Sequence, residues 1–256
     1  MQILLANAKI MYEKTERKPL STPHFQSVAN TLAAEMAQMD VEELTRQLDC
    51  NGKIAATNRK RYQDFHAAEK MPAILAYNGQ AYKHLRANTL SEEALAYAQE
   101  HLWITCFLYG LLRPLDGIVP YRMEHCVTLE ATRDKPVNQF WKDKLTQVLI
   151  DSVKADDGIL IHLSTEEYEH LFDWKRVCRE VKVVHPLFYV RQKDGNLKIQ
   201  TVWAKSCRGA MTRFILNNRP VTSQELTAFS YEGFEYTPRL GEELFPHFVR
   251  GNSTTF

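Results

Sequence analysis

The run from Leu108 to Glu124, Leu-Tyr-Gly-Leu-Leu-Arg-Pro-Leu-Asp-Gly-Ile-Val-Pro-Tyr-Arg-Met-Glu, constrains the fold of this chain more than any other stretch. An apolar segment of buried character ends abruptly in two arginines, two carboxylates, a tyrosine and two prolines. Pro114 pushes Arg113 toward an extended conformation, and Asp116-Gly117 is a turn signal. The backbone is therefore stiff, with its polar groups set at the edge of a core. Two outcomes are compatible with it. The guanidinium groups stand ready for phosphate or carboxylate, or Arg113 pairs with Asp116 and Arg122 with Glu124 in a closed network that meets no ligand.

A chain of 256 residues, 45% hydrophobic and 25% charged, is long enough for a sizeable core in one large domain or two small ones. No apolar run reaches the length of a membrane span, and Met1–Asn7 reads as a first strand rather than a signal segment. The five cysteines are scattered and contain no CxxC, which points to reduced thiols in a cytoplasm and away from zinc or disulfides. The net charge of +1 predicts no polyanion partner, but its distribution is uneven. No acid falls between Asp194 and Glu225, where Lys198, Lys205, Arg208, Arg213 and Arg219 lie. A second acid-free stretch holds Lys53, Arg59, Lys60 and Arg61. A nearly neutral protein can carry a basic face in this way.

Periodicity predicts a strand at 2–6, helices at about 24–39, 41–48 and 52–68, and a helix from Ser91 to His101. Asp40 with Glu43 forms a capping-box signature for the second of these. Residues 71–77 are ambiguous, and 103–112 form a buried segment of undetermined type. Further on, 138–153 reads as a helix, 158–163 as a strand, and 164–167 as the start of a short helix. Residues 181–190 and 197–204 read as strands around the hairpin signal Lys193-Asp194-Gly195-Asn196. A helix at 206–218, a short one from Ser223, and strands near Phe234 and Phe245 complete the pattern. One mixed α/β (α+β) domain over 1–256 is expected, with a central mixed sheet flanked by helices and a helical subregion at about 24–68.

On a helical wheel, Ala210, Met211, Phe214 and Ile215 share one side of the 205–218 segment, while Lys205, Arg208, Thr212 and Arg213 lie opposite. That side is either a polyanion surface or a solvated face. Near Gly52, two short helices meet at a tight turn, half of a helix-hairpin-helix pattern in which a glycine turn presents N–H groups to a DNA phosphate. An ordinary helical hairpin fits the same residues. Glu124-His125-Cys126, or Glu166 with His170, could ligate iron, although on a strand the first three would point to alternate faces. Cys207 beside Arg208 is either a peroxide-sensitive thiol or a buried, inert one. The common catalytic templates, GxSxG, Walker A, HExxH and GxGxxG, are absent.

Several separated blocks occur in an order that resembles the YaaA family of bacterial peroxide-stress proteins. They are Ala76-Tyr77-Asn78-Gly79 with Tyr82, the Leu108–Glu124 run, Gln139-Phe140-Trp141, and Leu163-Ser164 with Glu167-Tyr168. Lys205 with Arg208-Gly209, Met211, Arg213-Phe214-Ile215 and Asn218 follows, then Tyr231-Glu232-Gly233-Phe234. The opening turn departs from the family's Ser-Pro-Ala-Lys: here it is Ala6-Asn7-Ala8-Lys9. The resemblance implies a cytoplasmic protein of the hydrogen peroxide response, linked to lower free iron. It also implies a helix-hairpin-helix-like N-terminal element and a basic cleft for DNA.

Three functions follow as expectations. The first is a non-enzymatic protein without cofactor or resident metal, binding double-stranded DNA largely independently of sequence. Lys53, Arg59, Lys60 and Arg61 would meet phosphates from the hairpin. Lys9, Arg113, Arg122, Lys205, Arg208 and Arg213 would line one cleft, oriented by Asp116 and Glu124. The second is an enzyme acting on a small anionic or nucleotide substrate, with Tyr77, Tyr121, Glu167, Lys205 and Glu232 as acid–base candidates. The third is direct iron handling.

Overall fold

The first strand, β1 (Gln2–Ala6), buries Ile3, Leu4 and Leu5 almost completely. A strand apolar on both faces has to be covered on both sides, which calls for a sheet with helices packed over it. The computed structural model describes residues 1–251 and shows such a sheet at the centre of a mixed α/β domain. The last five residues of the expected domain lie outside the described ones.

Three helices follow β1: α1 (Gln26–Gln38), α2 (Val41–Gln47) and α3 (Gly52–Gln63). Asp40 caps α2 by accepting from the Glu43 N–H at 2.8 Å, and Asn51 caps α3 by accepting from Ile54 N–H at 3.0 Å. The third helix ends at Gln63 rather than near Ala68, because the chain turns on Asp64, whose carbonyl accepts from Ala67 and Ala68. The ambiguous 71–77 segment splits into β2 (Met71–Pro72) and one helical turn, α4 (Ala73–Ala76). Next come α5 (Gln80–Leu85) and α6 (Glu92–His101), the latter capped by Ser91.

The buried 103–112 segment is a hairpin of β3 (Leu102–Cys106) and β4 (Gly110–Leu112), followed by β5 (Gly117–Ile118), which pairs with β2. Then come α7 (Val137–Ala155), β6 (Ile159–Leu163), α8 (Glu166–Glu169), α9 (Trp174–Glu180) and β7 (Lys182–Val184). The central sheet has the order β4-β3-β1-β6-β7 and is parallel except for β4.

The expected strand over 181–190 is two strands in two sheets. After β7 the chain breaks at His185-Pro186 and re-enters as β8 (Leu187–Arg191) in a second sheet. Pro186 has no N–H to donate and restricts His185, so one continuous ladder is excluded there. The expected strand at 197–204 is only β9 (Leu197–Lys198), the partner of β8 across the hairpin. From Thr201 the chain is already helical in α10 (Thr201–Asn218). Buried Ala204, Cys207 and Met211 recur at a spacing of three to four from within the expected strand, so the helical stripe wins. β10 (Ser230–Tyr231), β11 (Phe234–Glu242) and β12 (Phe245–Arg250) complete the second sheet, order β10-β11-β12-β8-β9.

Two glycines let layers close on each other. A Cβ on Gly209 of α10 would lie 1.8 Å from the Ala81 carbonyl oxygen of α5, and one on Gly79 would lie 2.5 Å from the Ala8 Cβ. The turn after β1, helix α5 and helix α10 are thereby stacked in direct backbone contact.

Candidate functional site

In an open parallel sheet, neighbouring strands whose onward connections leave in opposite directions open a crevice at their carboxyl ends. Here β1 leads to β3 on one side, and β6 leads to β7 on the other. The residues that leave these two strands are Asn7 and Lys9, and Ser164 through Tyr168.

A chain of hydrogen bonds crosses this point. The Tyr168 hydroxyl donates to Asn7 Oδ1 at 2.5 Å, and Asn7 Nδ2 donates to the Tyr121 hydroxyl at 3.3 Å. Tyr121 and Tyr77 share a hydroxyl–hydroxyl bond of 2.7 Å. Burial drives all three tyrosine pKa values upward, so the phenols stay neutral and serve as donors. Burial likewise pushes the neighbouring Cys106 thiol up to about 11, which leaves it unreactive.

Beside this chain lies Glu124, buried and facing two cations. Lys9 Nζ lies 2.7 Å from Oε2, and Arg122 NH2 lies 2.9 Å from Oε1. The Arg122 approach lacks hydrogen-bond geometry, so Oε1 and Arg122 Nε have no hydrogen-bond partner. The Lys9 side chain is 54% exposed, so its ammonium remains reachable from solvent. His125 Nδ1 and Glu167 Oε1, 3.4 Å apart, close the rim. The helical hairpin packs against the same segment. The Tyr62 hydroxyl of α3 donates to the Arg122 carbonyl at 2.6 Å, and Gln47 of α2 bonds Thr128 through both its amide oxygen and its amide nitrogen.

The other expected site residues do not converge here. Arg113 sits at the opposite end of the sheet, where Gln2 and the Leu102 carbonyl accept from its guanidinium, which lies 3.4 Å over the Trp103 ring. Burial lowers its pKa to about 10. Asp116 does not meet that guanidinium; it accepts from the Arg113 backbone N–H at 2.7 Å and from Ser21. Arg113 and Asp116 therefore hold the turn.

Arg213 donates to the carbonyls of Leu85, Arg86 and Thr89, around the end of α5. It shares a separate hollow of about 670 Å³ with Glu232. Arg59 is spent on the Met39 carbonyl and Arg61 on Glu13. Lys205 is exposed on α10, and Arg208 is largely withdrawn from water, with its pKa lowered by burial. Cys207 is fully buried with its pKa raised to about 12, so it is the inert alternative.

In the hairpin, Asp49 takes the left-handed turn position with φ 43°, and Gly52 simply opens α3. Lys53 and Lys60 are exposed on that helix. Of the iron candidates, Glu124 and His125 come together with Glu167. Cys126 turns toward the Gln47 carbonyl, and Glu166 and His170 form no such group among the described residues. Asn7 and Tyr168 were missed as site residues. The signal available was the chemistry of the turn after β1, where Ala6 and Asn7 stand in place of the family's serine and proline.

Comparison with known proteins finds relatives over nearly the whole chain. Residues 1–240 match the family model described as peroxide stress protein YaaA. A UPF0246 protein of Bacteroides thetaiotaomicron is 46% identical over 255 residues, covering 98% of this chain and 99% of its own. One from Bacteroides fragilis is 44% identical over 257 residues, 99% and 100% of the two chains. A third, from Porphyromonas gingivalis, is 42% identical over 248 residues, 95% and 97%. The motif blocks, the fold and these matches together place the chain in the YaaA family of peroxide stress proteins, to which it belongs.

Proposed function

We propose that this peroxide stress protein is cytoplasmic and binds double-stranded DNA largely without sequence preference, with the α2–α3 hairpin as its contact face. The observation that supports this is the pair of lysines, Lys53 and Lys60, exposed on the outer side of α3. Lys53 and Lys60 lie seven residues apart, hence on one side of α3, and that helix carries no acid. Tyr62, which bonds the Arg122 segment, lies on the opposite side of α3, so a phosphate backbone along the exposed side meets about two cations rather than the six or more of a single wide cleft. Among the described residues no helix is long and apolar enough to cross a membrane. Protection against iron-dependent damage then comes from occupancy of DNA, because the central carboxylate, Glu124, is already committed to two cations.

Two phosphate contacts predict that duplex affinity falls roughly tenfold between about 50 and 200 mM salt. Replacing Lys53 and Lys60 together with Ala should flatten the slope of log K against log salt by about two. An unchanged slope in that double variant, measured by fluorescence anisotropy, sinks the hairpin assignment.

A second reading rests on a different observation, the donor chain at the switch point. Neutral Tyr77, Tyr121 and Asn7, with Lys9 and Arg122 as a clamp, suit a small anionic or nucleotide substrate, and His125 with Glu167 offers a proton-transfer pair at the rim. Lys205 and Glu232 have no place in it. Titration with nucleoside monophosphates separates the readings: heat of binding lost in Lys9→Ala and kept in Lys53→Ala favours the enzyme.

A further inference from the structure

Helix α8 presents two carboxylates in opposite directions. Glu167 faces His125 at the switch point, while Glu169, two residues on, faces His162 on β6. His162 is 1% exposed, and its Nε2 lies 2.9 Å from Glu169 Oε1. His185, which directly follows β7, lies beside it with ring centroids 4.4 Å apart and the rings tilted by 57°. The Trp174 ring of α9 lies 4.8 Å from that of His162. One ligand atom from each of His162, Glu169 and His185 can be chosen so that all lie within 4.8 Å of one another. The cluster thus sits at the carboxyl ends of two adjacent parallel strands, as ligand sites in such sheets do.

Internal hydrogen bonding does not satisfy this cluster. Among the described residues, eight buried side-chain polar atoms lack a partner, and three of them are here: His162 Nδ1, His185 Nε2 and Arg208 Nε. Buried donors and acceptors are normally paired, so such a concentration calls for a ligand.

We propose that His162, Glu169 and His185 form a binding site for a divalent transition-metal ion of the zinc type. Two imidazoles and one carboxylate are a three-ligand set that leaves one coordination position for water or an added anion. With bonds near 2.0–2.2 Å, tetrahedral ligand atoms stand about 3.3–3.5 Å apart, a contraction of little over 1 Å from the 4.8 Å within which the three now lie. The charged groups around the cluster shape the remaining position. Glu169 contributes one negative charge. Arg208 of α10 lies within electrostatic reach of both imidazoles. Cys178 of α9 lies within electrostatic reach of Glu169. A dication with one carboxylate beside a guanidinium is left with surplus positive charge, so the fourth ligand is anionic: hydroxide, phosphate or a substrate carboxylate. This site is independent of the DNA-binding reading and uses none of its residues.

The test uses the full chain, stripped of metal by chelation and titrated with ZnCl2 by calorimetry and with CoCl2 by visible absorption. The expected result is one equivalent of Zn2+ and an intense Co2+ spectrum of low coordination number. His185→Gln and Glu169→Gln, at positions that are not fully buried, should weaken binding by more than the roughly 10–100-fold that loss of an outer-sphere partner costs. Glu167→Gln should leave it unchanged, which separates this site from the Glu124–His125–Glu167 group. Arg208→Met should keep metal binding and lose its enhancement by inorganic phosphate. Circular dichroism melts establish that each variant is folded. No binding by the wild-type chain, or equal binding by His185→Gln and Glu169→Gln, overturns the proposal.

Discussion

At Glu124 a buried carboxylate faces Lys9 at 2.7 Å and Arg122 at 2.9 Å, so its charge offsets two cations at once. Removing one member of a buried ion pair typically costs about 3–5 kcal/mol, and half-exposed Lys9 brings the figure down. Glu124→Gln is expected to lower the unfolding free energy by about 2–3 kcal/mol in urea titrations. The same change frees two cations and should raise affinity for phosphate, whereas a merely structural role would lower both. Tyr121 links Tyr77 to Asn7, so Tyr121→Phe leaves buried partners unpaired and should cost about 1–2 kcal/mol. The pairing of Arg122 with Glu124 was legible in the sequence because the two lie two residues apart. The fate of Arg113 was not: its partners Gln2, Leu102 and Ser152 are 11 to 111 residues away.

Among the elements, the hairpin and the α5–α10 contact give glycines opposite meanings. A Cβ on Gly52 meets nothing within 4 Å, and Gly52 is not among the positive-φ glycines. Gly52→Ala should therefore leave thermal stability unchanged or raise it by up to about 1 kcal/mol. If backbone N–H groups at the start of α3 approach phosphate, the added methyl should nevertheless weaken duplex binding in anisotropy measurements. At Gly209 the Ala81 carbonyl blocks any side chain. Gly209→Val is expected to separate α10 from α5, costing about 3 kcal/mol and appearing as a lower urea midpoint. Helices were readable where a cap coincided with an apolar stripe, as at Asp40 and Ser91. The 181–204 region was misread because β-branched and aromatic residues suit either sheet, and local pattern carries no label for which sheet a strand joins.

For the molecule as a whole, buried His162 and half-buried His185 make stability depend on pH. Their folded-state values lie below the ordinary histidine value, so the unfolded chain binds protons more readily in acid. Their contribution is complete above about pH 6.5 and is lost as pH falls toward the folded value of His185, about 3. Urea melts between pH 7 and 5 should show falling stability before most carboxylates titrate, and His185→Gln should flatten that limb. The alternation of buried strands and amphipathic helices, and hence one mixed α/β domain, is written in local periodicity, because each element needs only its own apolar face to declare itself. The dispersal of the cations and the meeting of Asn7 with Tyr168 depend instead on strand order. Coulomb and hydrogen-bond energies act over a few ångströms in space, and only the closed tertiary structure decides which distant residues come within that range.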